Sequence, residues 1–465
     1  MVLDRLHRSR GRPLRLDDAT RPLPRPAHPT FAQAFAYWLK LGFISFGGPA
    51  GQIAIMHQEL VEQRRWISER RFLHALNYCM PLPGPEAQQL AIYIGWLLHR
   101  TWGGIVAGAL FVLPSLVILS LLSYVYLEFG DVTFVRGLFS GIKPAVVAIV
   151  VYAAWRIGAR ALKNGVLWAL AAGSFVAVFA FDVPFPYVVL TAGVLGFIGG
   201  KVAPTRFQLG GAMHGPAGVA DHGPALIDDD APRLPHTRFR WPYLAILLLG
   251  AMAAWAGAMS LLDAPVLRDM GVFFTKAALL TFGGAYAVLP YVFEGGVETY
   301  GWLSAEQMID GLALGETTPG PLIMVVSFVG FVGGWTREIF GPDALWIGGV
   351  AGAGVATFFT FLPSFVFILA GAPLVESTHG DLKFTAPLTA ITAAVVGVIL
   401  NLGLFFGWHV VWPEATAAAP FSGGFEAVYA AMSVLAFVAL WKLKLDILYV
   451  IAACAAIGLV QTYLA

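Results

Sequence analysis

Apolar residues run almost unbroken from Phe31 to Gly200 and again from Trp241 to Ala465, with a polar stretch over 201–240 between them. A membrane-crossing helix needs about 20 consecutive apolar residues. The runs near 101–127, 137–157, 163–181 and 184–200 meet or approach that length, as do those near 242–262, 344–371, 384–406, 425–441 and 444–463. Shorter apolar pieces lie at 31–48, 50–63, 71–82 and 85–99, and again at 267–284, 286–299, 305–318 and 321–335, cut by Gly-Gly or Pro-Gly-Pro. The pattern predicts half-helices or re-entrant hairpins there, because irregular backbone is tolerated at membrane depth only where protein or a wet cavity covers it. The expected fold class is therefore all-α, a polytopic membrane protein of about 12–14 spanning or re-entrant segments.

The short pieces are copies of one another. At a constant offset of 236 residues, Lys40 matches Lys276, and Phe46-Gly47-Gly48 matches Phe282-Gly283-Gly284. Glu62 matches Glu298, Trp66-Ile67-Ser68 matches Trp302-Leu303-Ser304, and Pro83-Gly84-Pro85 matches Pro319-Gly320-Pro321. Farther on, Leu113-Pro114-Ser115 matches Leu362-Pro363-Ser364 and Ala145-Val146-Val147 matches Ala394-Val395-Val396, now at 249. A loop insertion around Trp335–Leu345 accounts for the thirteen extra residues. Duplicated membrane domains with Gly- and Pro-broken segments at matching places mark secondary transporters and their binding sites. The expected organisation is a basic cytoplasmic tail over 1–29, a first membrane repeat over 30–200, a polar linker over 201–240 and a second repeat over 241–465.

Charge orients the copies. Arg64, Arg65, Arg70 and Arg71 surround Trp66 in the first copy, while Tyr300 to Gln307 in the second contains no basic residue. Basic residues accumulate on cytoplasmic loops, so the matched loops are expected on opposite sides and the repeats in inverted topology. Parallel repeats, with the arginines kept for another purpose, are the competing account. The seven arginines between Arg5 and Arg25 have no apolar core beside them, unlike a secretory signal. A disordered tail held in the cytoplasm fits them better than a mitochondrial transit peptide, which Asp4, Asp17 and Asp18 weaken.

The chain is 58% hydrophobic and 12% charged, with a net charge of +1. That balance leaves no large basic surface for nucleic acid. Cys79 and Cys454 sit in apolar runs without ligand spacing, and the histidines, including His57, His74, His99 and the linker's His214, His222 and His236, are irregularly spaced. No metal or other cofactor is implied. A phosphate-cradling Gly-Lys-Ser/Thr loop is also missing from the sequence, which argues against ATP-driven pumping.

Lys40 and Lys276 are the leading candidates for substrate binding, because a lysine inside an apolar run costs about 2.5–3.5 kcal/mol on insertion scales. Snorkelling to a headgroup is the alternative for each. Gly47, Gly48, Gly283 and Gly284 allow a ligand close to the backbone. Gly84 with Pro85, and Gly320 with Pro321, suit the start of new half-helices whose free amides would face an oxyanion. Glu86 and Glu316 beside the breaks are candidates for coupling or gating, or for helix-start interactions. Arg64, Arg65, Arg70 and Arg71 are candidates for anion entry at a cytoplasmic mouth, with topology or lipid headgroups as the other explanation. Lys143, before Pro144, is a weaker candidate. Ser304 with Gln307 reads as a capping box, and Ser68 starts the matching helix with Arg71 at the partner position.

Trp38-Leu39-Lys40-Leu41-Gly42, Phe46-Gly47-Gly48-Pro49 and the run LPGPEAQQLAIYIGW from Leu82 to Trp96 resemble the first half of the chromate ion transporter family. TFGGAYAVLP at 281–290, Gly301-Trp302-Leu303 and TPGP at 318–321 are similar to its partner domain, while Glu316 departs from the Gln expected in many members. The resemblance implies a long, two-domain bacterial inner-membrane protein with a cytoplasmic N-terminus. Such a protein exports chromate and confers resistance, with sulfate the expected competitor and a homodimer compatible with the family. The other function classes weighed are a sulfate-type oxyanion transporter, an anion channel and a membrane-embedded enzyme. The last would need a nucleophile–base pair or metal cluster that the sequence does not show.

Overall fold

A computed structural model describes residues 25–207, 223–228, 234–282, 284–378, 385–415 and 419–464. Gly283, the arginines from Arg5 to Arg21, His214 and His222 lie outside the described residues. The described chain is all-helical, with an isolated parallel bridge between Ile67 and Ile227.

The first half runs α1 (Phe31–Ile44), α2 (Gly48–His57) continued by a π-helical turn (Gln58–Gln63), α3 (Glu69–Cys79), α4 (Glu86–Phe129), α5 (Thr133–Ala161), α6 (Gly165–Phe181) and α7 (Phe185–Val202). Then comes α8 (Trp241–Ser260), without counterpart in the first half. The second half repeats the order as α9 (Pro265–Leu280), α10 (Ala285–Phe293) with its own π-helical turn (Glu294–Thr299), and α11 (Ala305–Thr317). It continues with a short 3₁₀ turn (Leu322–Met324), α12 (Val325–Thr336), α13 (Leu345–Thr378), α14 (Thr385–Val411), α15 (Ala427–Trp441) and α16 (Ile447–Leu464).

The π-helical turns fall at the 236-residue offset residue for residue. The sequence reading missed a second shift. α6 and α15 start 262 residues apart, as do α7 and α16, so thirteen further residues enter between α14 and α15. α6, α7, α15 and α16 are apolar on all sides, so no motif marked their correspondence.

Local sequence explains the ends. Thr30 and Gln33 form a reciprocal capping box at α1 with bonds of 2.9 and 3.2 Å, and Ser304 and Gln307 do the same at α11 with 2.9 and 3.1 Å. Ser68 caps α3 by accepting from the Arg71 amide at 3.3 Å, without the reciprocal half. Pro85 and Pro321 sit one residue earlier than expected, as the extended N-cap residues of the elements they precede. The N-cap, like the first turn, has no obligatory intrahelical donor, so a proline is harmless there. α4 is continuous through 86–129 except at His99 and Arg100, whose non-helical backbone folds it into two limbs.

Among the described residues seven helices are long and apolar enough to cross a membrane: α4, α5, α7, α8, α13, α14 and α16. α6, α12 and α15 are apolar but shorter. The protein is a multi-pass membrane protein, and its apolar exterior, including α8 with no buried residue, is lipid-facing surface rather than an unsatisfied core. The halves interlock. α13 packs on α4, and α14 packs on α5, α6 and α7.

Candidate functional site

Each break loop begins with the same local device. The Ser45 hydroxyl donates to the Leu41 carbonyl at 2.6 Å, and the Thr281 hydroxyl donates to the Ala277 carbonyl at 2.7 Å, at the 236-residue offset. The next residues turn alike: the Phe46 amide reaches the Ile44 carbonyl at 2.9 Å, and the Phe282 amide the Leu280 carbonyl at 3.0 Å. A hydroxyl bonded back to its own helix weakens and bends it, and here the bond sits at the helix end. Gly47, Gly48 and Gly284 then take positive φ of 82°, 69° and 102°.

The decisive contacts cross between the halves. The Gly320 amide of the second Pro-Gly-Pro donates to the Ser45 carbonyl of the first Gly-Gly loop at 2.8 Å. The Gly84 amide of the first Pro-Gly-Pro donates to the Thr281 carbonyl of the second Gly-Gly loop, also at 2.8 Å. These two bonds are images of each other under the repeat. Gln52 fixes the first crossing further, its amide donating to the Ser45 carbonyl at 3.1 Å and to the Gly320 carbonyl at 2.6 Å.

Glycine is required at both Pro-Gly-Pro centres. Gly84 and Gly320 have φ of 119° and 103°, and a Cβ there would stand 2.5 Å from the Ser364 hydroxyl and 2.8 Å from the Ser115 Cβ respectively. Ser115 and Ser364 are themselves repeat mates, so the Leu-Pro-Ser segments of α4 and α13 line the crossing. The structure thus brings Gly84, Pro85, Gly320 and Pro321 against the two Gly-Gly loops.

Around this crossing lies a set of buried, uncharged polar groups. Gln89 donates to the Pro83 carbonyl at 2.7 Å and meets the Ser364 hydroxyl at 3.4 Å, while its carbonyl oxygen has no hydrogen-bond partner among the described residues. Both amide atoms of Gln88 and the Ser115 hydroxyl are likewise unpartnered, and all three residues are wholly buried. The two limbs of α4 pack with Gly95 against Gly103 and Ile92 against Gly108. One turn further, that register carries Gln88 to the level of Phe111–Ser115. Ser327, Thr357 and Thr360 are unpartnered buried hydroxyls in the equivalent hairpin of α12 and α13.

Buried polar groups left without partners are rare because each costs about 1–3 kcal/mol. Of those here, the Gln88 amide nitrogen and the Ser115 hydroxyl are unpartnered donors able to bond a desolvated oxyanion. Sequence inspection passed over Gln52, Gln88, Gln89 and the two serines because neutral side chains in apolar runs give no charge signal. The run Glu86-Ala87-Gln88-Gln89 directly after a Pro-Gly-Pro was the available cue.

Of the charged candidates, Glu86 and Glu316 adjoin the Pro-Gly-Pro breaks, while Lys40, Arg64 and Arg71 are engaged elsewhere. Lys40 is 53% exposed and donates to Glu59 at 2.8 Å; Glu59 also accepts from Arg64 at 2.9 Å. In the second half the Glu59 position is Gly295, where a Cβ would collide with the Phe273 ring, so no carboxylate stands there. Lys276 is exposed and forms no ion pair or hydrogen bond with a described residue. The repeated lysines are therefore electrically unequal.

Arg64 also stacks over Tyr37 and Trp66, at 5.1 and 5.0 Å from the ring centroids. Arg71 pairs with Glu376 of α13, which also accepts from the Tyr93 hydroxyl at 2.6 Å. Arg70 is exposed, whereas Arg65 has a positive φ of 51° and one buried guanidinium nitrogen without a partner. Arg64 and Arg71 are thus committed to internal pairs. Glu86 opens α4 at its first position, and Glu316 accepts from the Tyr286 hydroxyl at 2.5 Å. Lys143 donates to Glu306 at 3.3 Å.

A family model described as Chromate transporter matches residues 32–197 and 268–459, the two halves without the tail and linker. The chain is 32% identical over 459 residues to a protein of Pseudomonas aeruginosa named chromate transport protein, covering 96% of each chain. It is 30% identical over 372 residues to a chromate transport protein of Cupriavidus metallidurans, covering 80% of this chain and 81% of the relative. A probable chromate transport protein of Synechococcus elongatus is 26% identical over 383 residues, covering 82% and 86%. No solved structure matches the chain.

Proposed function

The chain belongs to the chromate transporter family, and from that premise we propose that it exports chromate across the bacterial inner membrane by alternating access between two inverted halves. Resistance to chromate is the physiological consequence. The single observation that carries this reading is the reciprocal crossing of the break loops, Gly320 on Ser45 and Gly84 on Thr281, flanked by buried unpartnered donors. A tetrahedral dianion stripped of water needs several donors at once, and neutral side chains such as Gln88 and Ser115 offer them without stranding a charge in the membrane when the site is empty.

Inversion is supported by parity. Two re-entrant hairpins return the chain to the side it left, and the second limb of α4 with α5, α6 and α7 makes four crossings. α8, one apolar helix of 20 residues without a first-half counterpart, then delivers the second copy facing the other way. The arginine loop around Trp66 and the N-terminal tail fall in the cytoplasm on this arrangement.

Energetics favour export. With the interior negative, a dianion moving outward gains about 4.6 kcal/mol per 100 mV of membrane potential, twice the value for one charge. The potential alone, or antiport with an ion, is enough to drive it. The test is chromate flux in proteoliposomes of known orientation, with an imposed potential and with sulfate and molybdate as competitors. Flux that saturates and follows the sign of the potential supports the proposal, and flux indifferent to the potential contradicts it.

The inequality of the lysines gives a sharper expectation. An unpaired surface cation raises local anion concentration, and of the two lysines Lys276 is the one without an ion-pair partner among the described residues. Lys276→Ala should lower chromate flux at subsaturating concentration by about tenfold, and Lys40→Ala by less than about threefold, because Lys40→Ala leaves Glu59 with Arg64. Equal losses in the two variants would remove the distinction.

A further inference from the structure

We propose that Asp310 of α11 is a proton-binding site, reached through a cavity beside it and linked thermodynamically to oxyanion binding at the loop crossing; this rests on the oxyanion-transport reading above. The cavity holds about 330 Å³ and lies where the end of α4, the start of α5 and the start of α11 meet. Asp310 lines it yet is only 3% exposed. Its Oδ2 accepts from the Tyr126 hydroxyl at 2.8 Å, and its Oδ1 has no partner among the described residues. A carboxylate buried with one open oxygen is poorly stabilised as an anion, and a proton exchanged through the cavity removes the charge that burial penalises.

The neighbouring charges are otherwise occupied. Lys143 donates to Glu306 at 3.3 Å, and Arg136 lies 3.7 Å from Asp131. These cations line the same space, so a divalent ion would meet stronger repulsion there than a single proton does, and Glu306 offsets the Lys143 charge. α12 and α16 carry no charged residue. The titratable residue of α14 is His409, whose Nδ1 is 3.0 Å from the Phe405 carbonyl. Glu376 of α13 is the contrasting case. Glu376, on the helix that matches α4, is held by both Arg71 and Tyr93, so a fixed guanidinium does there what a proton does at Asp310.

α11 connects this carboxyl to the site. Asp310 stands two turns, about 10 Å along the axis, from Thr317, and the next residues are Thr318-Pro319-Gly320 of the crossing. A dianion at the crossing disfavours a second negative charge on the same short helix, so it raises the proton affinity of Asp310. By reciprocity, a proton on Asp310 tightens oxyanion binding.

The experiment compares the wild-type protein with Asp310→Asn and Asp310→Glu in proteoliposomes and in detergent. Chromate affinity is read across pH as the ratio of variant to wild type, which cancels chromate's own protonation. The wild type should bind tighter as pH falls, by about fivefold or more over the titration. Asp310→Asn should be flat in that interval, and Asp310→Glu should regain a slope. Infrared difference spectra supply a readout independent of chromate: a protonated-carboxyl band that titrates in the wild type and is lost in Asp310→Asn. If that band titrates but chromate does not bind, the transport reading fails while the proton site stands. A folded Asp310→Asn protein with the wild-type pH slope, or the absence of the band, overturns the proposal.

Discussion

Gly320→Ala and Gly84→Ala should each reduce chromate flux by at least about thirtyfold, in protein that still inserts into the membrane. The backbone at these positions is in the left-handed region, at φ of 103° and 119°. A non-glycine residue there costs about 1–2 kcal/mol, and an extra atom forced into a packed site about 1–3 kcal/mol more. Neither loop has slack to absorb the change, because the Cβ would press on Ser115 in one case and Ser364 in the other. Relaxation therefore moves the loop, and with it the amide that donates to Ser45 or Thr281. Because these two bonds are images of each other, the variants should lose flux to a similar degree. Gly48→Ala supplies the control, since a Cβ there meets nothing within 4 Å and only the backbone term applies. The measurement is initial chromate flux per inserted molecule, with insertion quantified on the same membranes. Flux near wild type in either Pro-Gly-Pro variant would show that the crossing does not carry substrate.

How far the sequence alone leads depends on which physical property a residue advertises. The repeat was legible from Phe46-Gly47-Gly48 and Pro83-Gly84-Pro85 because a broken helix needs glycine or proline, few residue types substitute, and the spacing survives. α6 and α7 correspond to α15 and α16 in order and spacing, yet nothing in them has to be one particular residue, and their second offset stayed hidden. Lys40 and Lys276 drew attention for the opposite reason, charge in an apolar run. The structure shows that equal sequence position does not mean equal chemistry, since Glu59 neutralises one and Gly295 leaves the other alone. The cross-pairing between Gly320 and Ser45 spans most of the chain's length, and no local pattern announces which loop a free amide will find. Asp310 was likewise silent: a lone acid in Met308-Ile309-Asp310-Gly311 reads as a helix surface until burial is known.

Replacing Gln88 by methionine should separate function from stability in a way few core substitutions do. Both amide atoms of Gln88 are buried without partners, so the side chain is a burden on the fold rather than a support for it. Methionine fills similar volume without polar atoms, and removing an unsatisfied amide should leave the unfolding temperature in detergent unchanged or raised, in line with about 1–3 kcal/mol of relieved desolvation. Transport should move the other way. If the amide donates to the dianion, its loss removes a hydrogen bond to a charged group worth about 1.5–3 kcal/mol, so chromate affinity should fall by about tenfold to a hundredfold. The opposed signs are the point, because an ordinary structural residue loses both together. Ser115→Ala should repeat the pattern on a smaller scale, since its hydroxyl is a single orphan beside Gly320. A Gln88→Met protein that is as stable as wild type and transports chromate normally would take Gln88 out of the site. One that is destabilised would mean the amide has a partner the geometry does not show. Stability held with affinity lost is the outcome that ties this buried polar cluster to the oxyanion.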